Sequence, residues 1–147
     1  MRTAVWIHVV WMIAAVAVGT WSGYLGLVRA TMKGGRCFLP GCYTLSAHKW
    51  TGIVFHTMLY SGLAYAWAMV EFIIGVEAGG LWAWHRWLGW TVGAIYLPAM
   101  VAGIHLLYRP AVGGRALPVA HMITNFTACS LIAVQIVLAA YAFGWLD

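Results

Sequence analysis

The sequence predicts an all-α polytopic membrane protein, a four-helix bundle with a weak two-helix internal repeat. Three observations predict it. The 147 residues are 64% hydrophobic and only 7% charged, against roughly 25% charged in a soluble domain. The apolar residues fall into four runs of membrane-spanning length. Turn residues separate those runs. Mean hydropathy is +0.86. Eight Lys and Arg with three Asp and Glu cannot coat a soluble fold of this size. A soluble enzyme, a disordered segment and a nucleic-acid binder are therefore excluded. The net charge of +5 reads as membrane topology, not as a phosphate-binding face.

A helical span needs about 20 mostly apolar residues. Four stretches qualify: Thr3–Val28, Ser46–Phe72, Leu81–Leu107 and Leu117–Gly144. They are read as one transmembrane domain, with the lipid bilayer as first partner. Gly34-Gly35, Pro40-Gly41, Gly79-Gly80 and Arg109-Pro110 through Gly113-Gly114 supply the turns. Pro118 suits the start of a helix. Pro98 lies inside the third span and is expected to kink it. The first span has Arg2 and Ala15-Val16-Ala17, as a secretion signal would. Its apolar run is too long for one and carries His8 and three Trp, so it is read as a retained span.

Charge orients the bundle. Arg29, Lys33, Arg36, Lys49, Arg109 and Arg115 lie in or beside the first and third loops. Arg2, Arg86, Glu71, Glu77 and Asp147 lie on the other side. The first and third loops are expected to be cytoplasmic, with both termini outside. In a cytoplasmic loop Cys37 and Cys42 are read as two thiols. A disulfide between them would argue for the opposite orientation. Cys129 falls within the fourth span. Trp50, Trp82, Trp84, Trp87 and Trp145 sit near span ends, as an aromatic belt does.

The two halves rhyme. His8 opens the first span, Gly34-Gly35-Arg36 closes its loop and His48 opens the second. His85, Gly113-Gly114-Arg115 and His121 repeat that order in the second half. Two helix pairs in one orientation imply a pseudo-twofold along the membrane normal.

Ionisable groups inside a bilayer are costly and mark function by default. At 1.5 Å per residue, His8 is about 32 Å from Arg29 and His85 about 36 Å from Arg109, which places both near the outer face. His48 and His121 follow the cytoplasmic loops. In a sequential bundle the first helix faces the third diagonally, and the second faces the fourth. The expected pairs are His8 with His85 outside and His48 with His121 inside. Paired imidazoles at matched depth suit a b-type heme, whose iron takes two axial nitrogens. Gly19, Gly23, Gly26, Gly52, Gly62, Gly89 and Gly93 would let a macrocycle approach the backbone. Helix packing is their other reading. On the fourth span His121, Ala128 and Gln135 form a stripe with Asn125. Asn125 and Gln135 are candidates to bond a heme, a quinone or another helix. His56 and His105 are alternates: inner ligands, propionate partners or proton carriers.

Ala47-His48-Lys49-Trp50-Thr51-Gly52, Trp84-His85-Arg86-Trp87-Leu88-Gly89 and His121-Met122-Ile123-Thr124-Asn125, with His8 and Gln135, carry a resemblance. The chain resembles a small four-helix family of unknown function from photosynthetic organisms. It is similar in plan to the four-helix core of the diheme cytochromes b. The resemblance implies bis-His ligation of two hemes b by His8, His48, His85 and His121. It also implies a membrane subunit of a larger redox complex, exchanging electrons with quinone or a partner protein. The expected location is a bacterial inner or photosynthetic membrane. Two rival readings stand beside it: a cofactor-free scaffold or small transporter, and a pigment-binding subunit of a photosynthetic complex.

Overall fold

The computed structural model describes residues 2–32, 36, 39–41, 43–74, 80–109 and 116–144. Cys37, Cys42, the Gly34-Gly35 and Gly113-Gly114-Arg115 turns, Glu77 and Asp147 lie outside the described residues. The protein is all-α. Its helices are α1 (Arg2–Thr31), α2 (Leu45–Ala68), α3 (Gly80–Tyr108) and α4 (Ala116–Ala142), with a π-helical turn at Met69–Ile74 extending α2. All four are long and apolar enough to cross a membrane. Their bounds fall within a few residues of the predicted spans.

Local chemistry accounts for the ends. Thr44 caps α2: its Oγ1 accepts from Ala47 N at 3.2 Å, filling one of the orphan donors of the first turn. At the end of α4, Phe143 N donates to Ala139 O and Gly144 N to Tyr141 O. Gly144 closes the turn at φ 68°, a left-handed conformation that glycine adopts without a Cβ clash. α3 runs unbroken through Pro98.

The chain forms two compact units, Arg2–Gly62 and Leu63–Asp147. In the first unit α1 and α2 lie antiparallel. Phe55 covers Gly19: a Cβ there would come within 2.6 Å of its ring. Met12 and Trp11 cover Gly62. Trp11 Nε1 donates to Met58 O at 2.9 Å and Ser61 Oγ at 3.1 Å. In the second unit α3 and α4 are also antiparallel. Gln135 covers Gly89, and the Tyr96 hydroxyl meets Cys129 Sγ at 3.1 Å. Val28, Leu59, Val92, Tyr96, Ala99 and Ala128 are buried. Ile13, Trp84, Val101 and Ile136 are exposed, as side chains bathed in lipid would be.

The large and small partners are exchanged between the units. In the first, Gly19 on the leading helix receives Phe55 from the following one. At the matching places of the second stand Tyr96 and Ala128, the large residue now on the leading helix. Met12 with Gly62 and Gly89 with Gln135 show the same exchange. Each pair keeps one small member, so the helices approach closely in both units.

Candidate functional site

The histidines that open α2 and α4 are held in the same way. His48 Nδ1 lies 3.1 Å from Ser22 O of α1. His121 Nδ1 lies 2.8 Å from Ala99 O of α3. Ser22 stands fourteen residues after His8, and Ala99 fourteen after His85. One turn further on, each leading helix has a glycine against the ring. A Cβ on Gly26 would meet His48 Cε1 at 3.5 Å, and one on Gly103 would meet His121 Cε1 at 3.0 Å. The helical donor to a carbonyl comes from four residues ahead. A glycine at that place leaves room for a second donor, the imidazole, at the carbonyl's other lone pair.

The following helices repeat as well. Both read Ala-His-x-x-Thr, at Ala47-His48 with Thr51 and at Ala120-His121 with Thr124. Thr51 Oγ1 bonds Ala47 O and His48 O. Thr124 Oγ1 bonds Ala120 O and His121 O. Neither hydroxyl is left to seek a partner in hydrocarbon. The repeat expected from His and Gly-Gly-Arg therefore extends to hydrogen bonds. Gly103 escaped the sequence reading, and Thr51 and Thr124 stood in the resemblance motifs without a role of their own. Their signal was a glycine eighteen residues after each leading histidine and the doubled Ala-His-x-x-Thr.

The other predicted residues fall as follows. His85 Nδ1 lies 3.3 Å from Gln135 O, and Gln135 Nε2 donates to His85 O at 3.3 Å. Asn125 Nδ2 donates to His121 O at 2.6 Å, with the imidazole nitrogens 3.4 and 3.5 Å away. Gln135 thus bonds another helix, one of its readings, whereas Asn125 bonds within its own helix α4. His8 is half-buried on α1, with Nδ1 shielded from solvent. His56 bonds its own helix at Gly52 O, 2.7 Å from Nδ1, with its ring edge-on to Phe55. His105 sits in the last turn of α3, where its carbonyl accepts from Arg109 N at 2.8 Å.

Within each unit the histidines stay apart. Fourteen residues of helix separate His8 from the anchor of His48, and His85 from that of His121, about 21 Å along the axis. Each unit thus offers histidine at two levels. Among the described residues no three His, Cys, Asp or Glu side chains gather to hold a metal ion. Bis-imidazole ligation asks the protein for only two nitrogens.

No family model, curated protein or solved structure matches this chain.

Aromatic and cationic groups surround the ring-bearing ends. Trp82 stands edge-on to His85, centroids 6.1 Å apart. Tyr43 lies 5.9 Å from His48, and Arg29 Cζ is 5.8 Å from the Tyr43 ring centre. Burial raises the Tyr43 hydroxyl pKa, and the Arg29 charge partly offsets it. Gly19, Gly62 and Gly89, read as room for a macrocycle or for packing, are occupied by Phe55, Met12 and Gln135. Packing accounts for these three.

Proposed function

We propose that the chain is a transmembrane electron carrier of b type, holding two hemes between histidine pairs. The membrane setting rests on four apolar helices. The observation that carries the heme reading is the repeated anchoring of Nδ1 on a helix carbonyl, at His48, His85 and His121. A ring that donates Nδ1–H to a carbonyl keeps Nε2 as its basic nitrogen, oriented and ready to ligate a metal. These donors fit a b heme, which needs neutral imidazole nitrogens in an apolar setting. The order of the histidines along the sequence supports the pairs His8 with His85 and His48 with His121.

When bound, heme b would supply a one-electron ferric–ferrous couple, and His8, His48, His85 and His121 would hold the two groups. The chain's own work is to hold four rings, set their tautomers and exclude water. Arg29, next to Tyr43 and the His48 end, is placed to meet an anionic group such as a propionate. With the first and third loops cytoplasmic, the two sites lie near opposite faces of a bacterial inner or photosynthetic membrane. Electrons then reach quinone or a partner subunit of a redox complex.

The test is the reduced-minus-oxidised spectrum of the purified protein, with extracted heme counted per chain. Two b hemes per chain are expected. A colourless protein would overturn the reading in favour of a scaffold or small transporter. One holding only chlorophyll would favour a pigment-binding subunit.

A further inference from the structure

The second unit contains a contact that the first does not repeat. Gln135 engages His85 twice. Its backbone oxygen faces Nδ1 of the ring, and its side-chain Nε2 donates to the His85 carbonyl, both at 3.3 Å. Gly89, one turn after His85, makes this fit: a Cβ there would lie 2.9 Å from Gln135 Nε2. The matching place in the first unit holds Met12 against Gly62. A thioether fills the same gap but has no proton to donate. An amide in hydrocarbon is expensive unless bonded, and here its bond joins α4 to the residue whose ring α4 also holds.

We propose that Gln135 is the positioning residue for His85, with Gly89 as the space that admits it. By tying α4 to the His85 backbone, the amide keeps the Gln135 carbonyl against Nδ1. That fixes the Nδ1–H tautomer and the ring plane, and directs Nε2 as the ligand nitrogen. What Nε2 ligates rests on the heme reading; the tautomer and ring plane do not. Three variants separate the roles. Gln135→Met keeps the volume and removes the donor. Gly89→Ala keeps the glutamine and displaces its far end. Gly62→Ala disturbs the matching packing of Met12 and Trp11 in the first unit, where neither side chain is placed against a histidine carbonyl as Gln135 is.

Two readouts are made on the full-length protein. The first is ¹⁵N NMR of the histidine rings in heme-free protein, assigned with His85→Ala. The second is the low-spin ferric EPR signal and midpoint potential of each heme. Gln135→Met and Gly89→Ala are expected to mix the His85 tautomers. Both should shift the signal and potential of the one heme that His85→Ala removes, and weaken its retention about ten-fold or more. The other heme stays unchanged, and Gly62→Ala moves neither. If Gln135→Met fails to fold, Gly89→Ala carries the test, because only the end of a flexible side chain must move. Unchanged His85 tautomers and heme signals in the folded variants overturn the proposal and leave the heme reading standing. A wild-type protein without heme overturns the heme reading, and the NMR comparison still decides the role of Gln135.

Discussion

A single methyl group distinguishes the two ring-holding glycines. At Gly26 an added Cβ would sit 3.5 Å from His48, an ordinary contact; at Gly103 it would sit 3.0 Å from His121 and force the ring to move. Gly26→Ala should therefore leave stability and heme content near wild type. Gly103→Ala should cost about 1–3 kcal/mol, the usual range for overpacking. It should also weaken retention of one heme. Unfolding curves in detergent and heme counts on both variants check this. Equal behaviour of the two would show that the rings are not held by those carbonyls.

Helix ends and helix contacts make separate demands. Thr44→Ala removes the cap of α2 and should cost about 1 kcal/mol. The effect is measurable as a shift in the detergent unfolding curve, with the spectrum of any bound heme unchanged. Gly19→Ala drives a methyl into the buried Phe55 ring and should destabilise the α1–α2 contact by about 1–3 kcal/mol. Adding Phe55→Ala should return part of that loss, because it removes the ring that the new methyl meets. The double mutant is then less destabilised than the sum of the single ones. Strict additivity would count against direct contact between these positions.

The element scale also shows what could be read early. All four helices were legible, because runs of apolar residues bounded by Gly and Pro need no tertiary information. The pairing of knobs and holes was not legible. A glycine on an apolar helix looks the same whether a macrocycle, a phenyl ring or an amide will lie on it. At Gly19, Gly62 and Gly89 the answer came from the opposite helix, whose register no local pattern announces. For the same reason, Gln135 was legible as a polar residue in a span but not as the partner of His85 on the opposite helix.

For the molecule as a whole, the proposed pairing makes a prediction about which substitutions share a phenotype. His8→Ala and His85→Ala should remove the same heme, and His48→Ala and His121→Ala the other. Heme extraction and redox titration of the four variants distinguish this from pairing within a unit. Four different losses, or pigments lost singly, would overturn it. Orientation is tested by reporters fused after the last helix. With both termini outside, an alkaline phosphatase fusion is active and a fluorescent protein fusion is dark; the reverse result would invert the topology and reopen the question of a Cys37–Cys42 disulfide.

Composition alone determined that this chain lives in a membrane, because eleven charged side chains cannot keep so much apolar surface in water. Periodic turns determined four spans, and the order of histidines determined a repeat. Tertiary structure decided how that repeat is used. Whether a half-buried imidazole is held depends on a carbonyl fourteen residues after another histidine, and on a glycine one turn beyond it. Ser22 and Ala99 have different side chains. They serve alike only because the bond is made by the backbone, which every residue carries and which packing alone brings within reach.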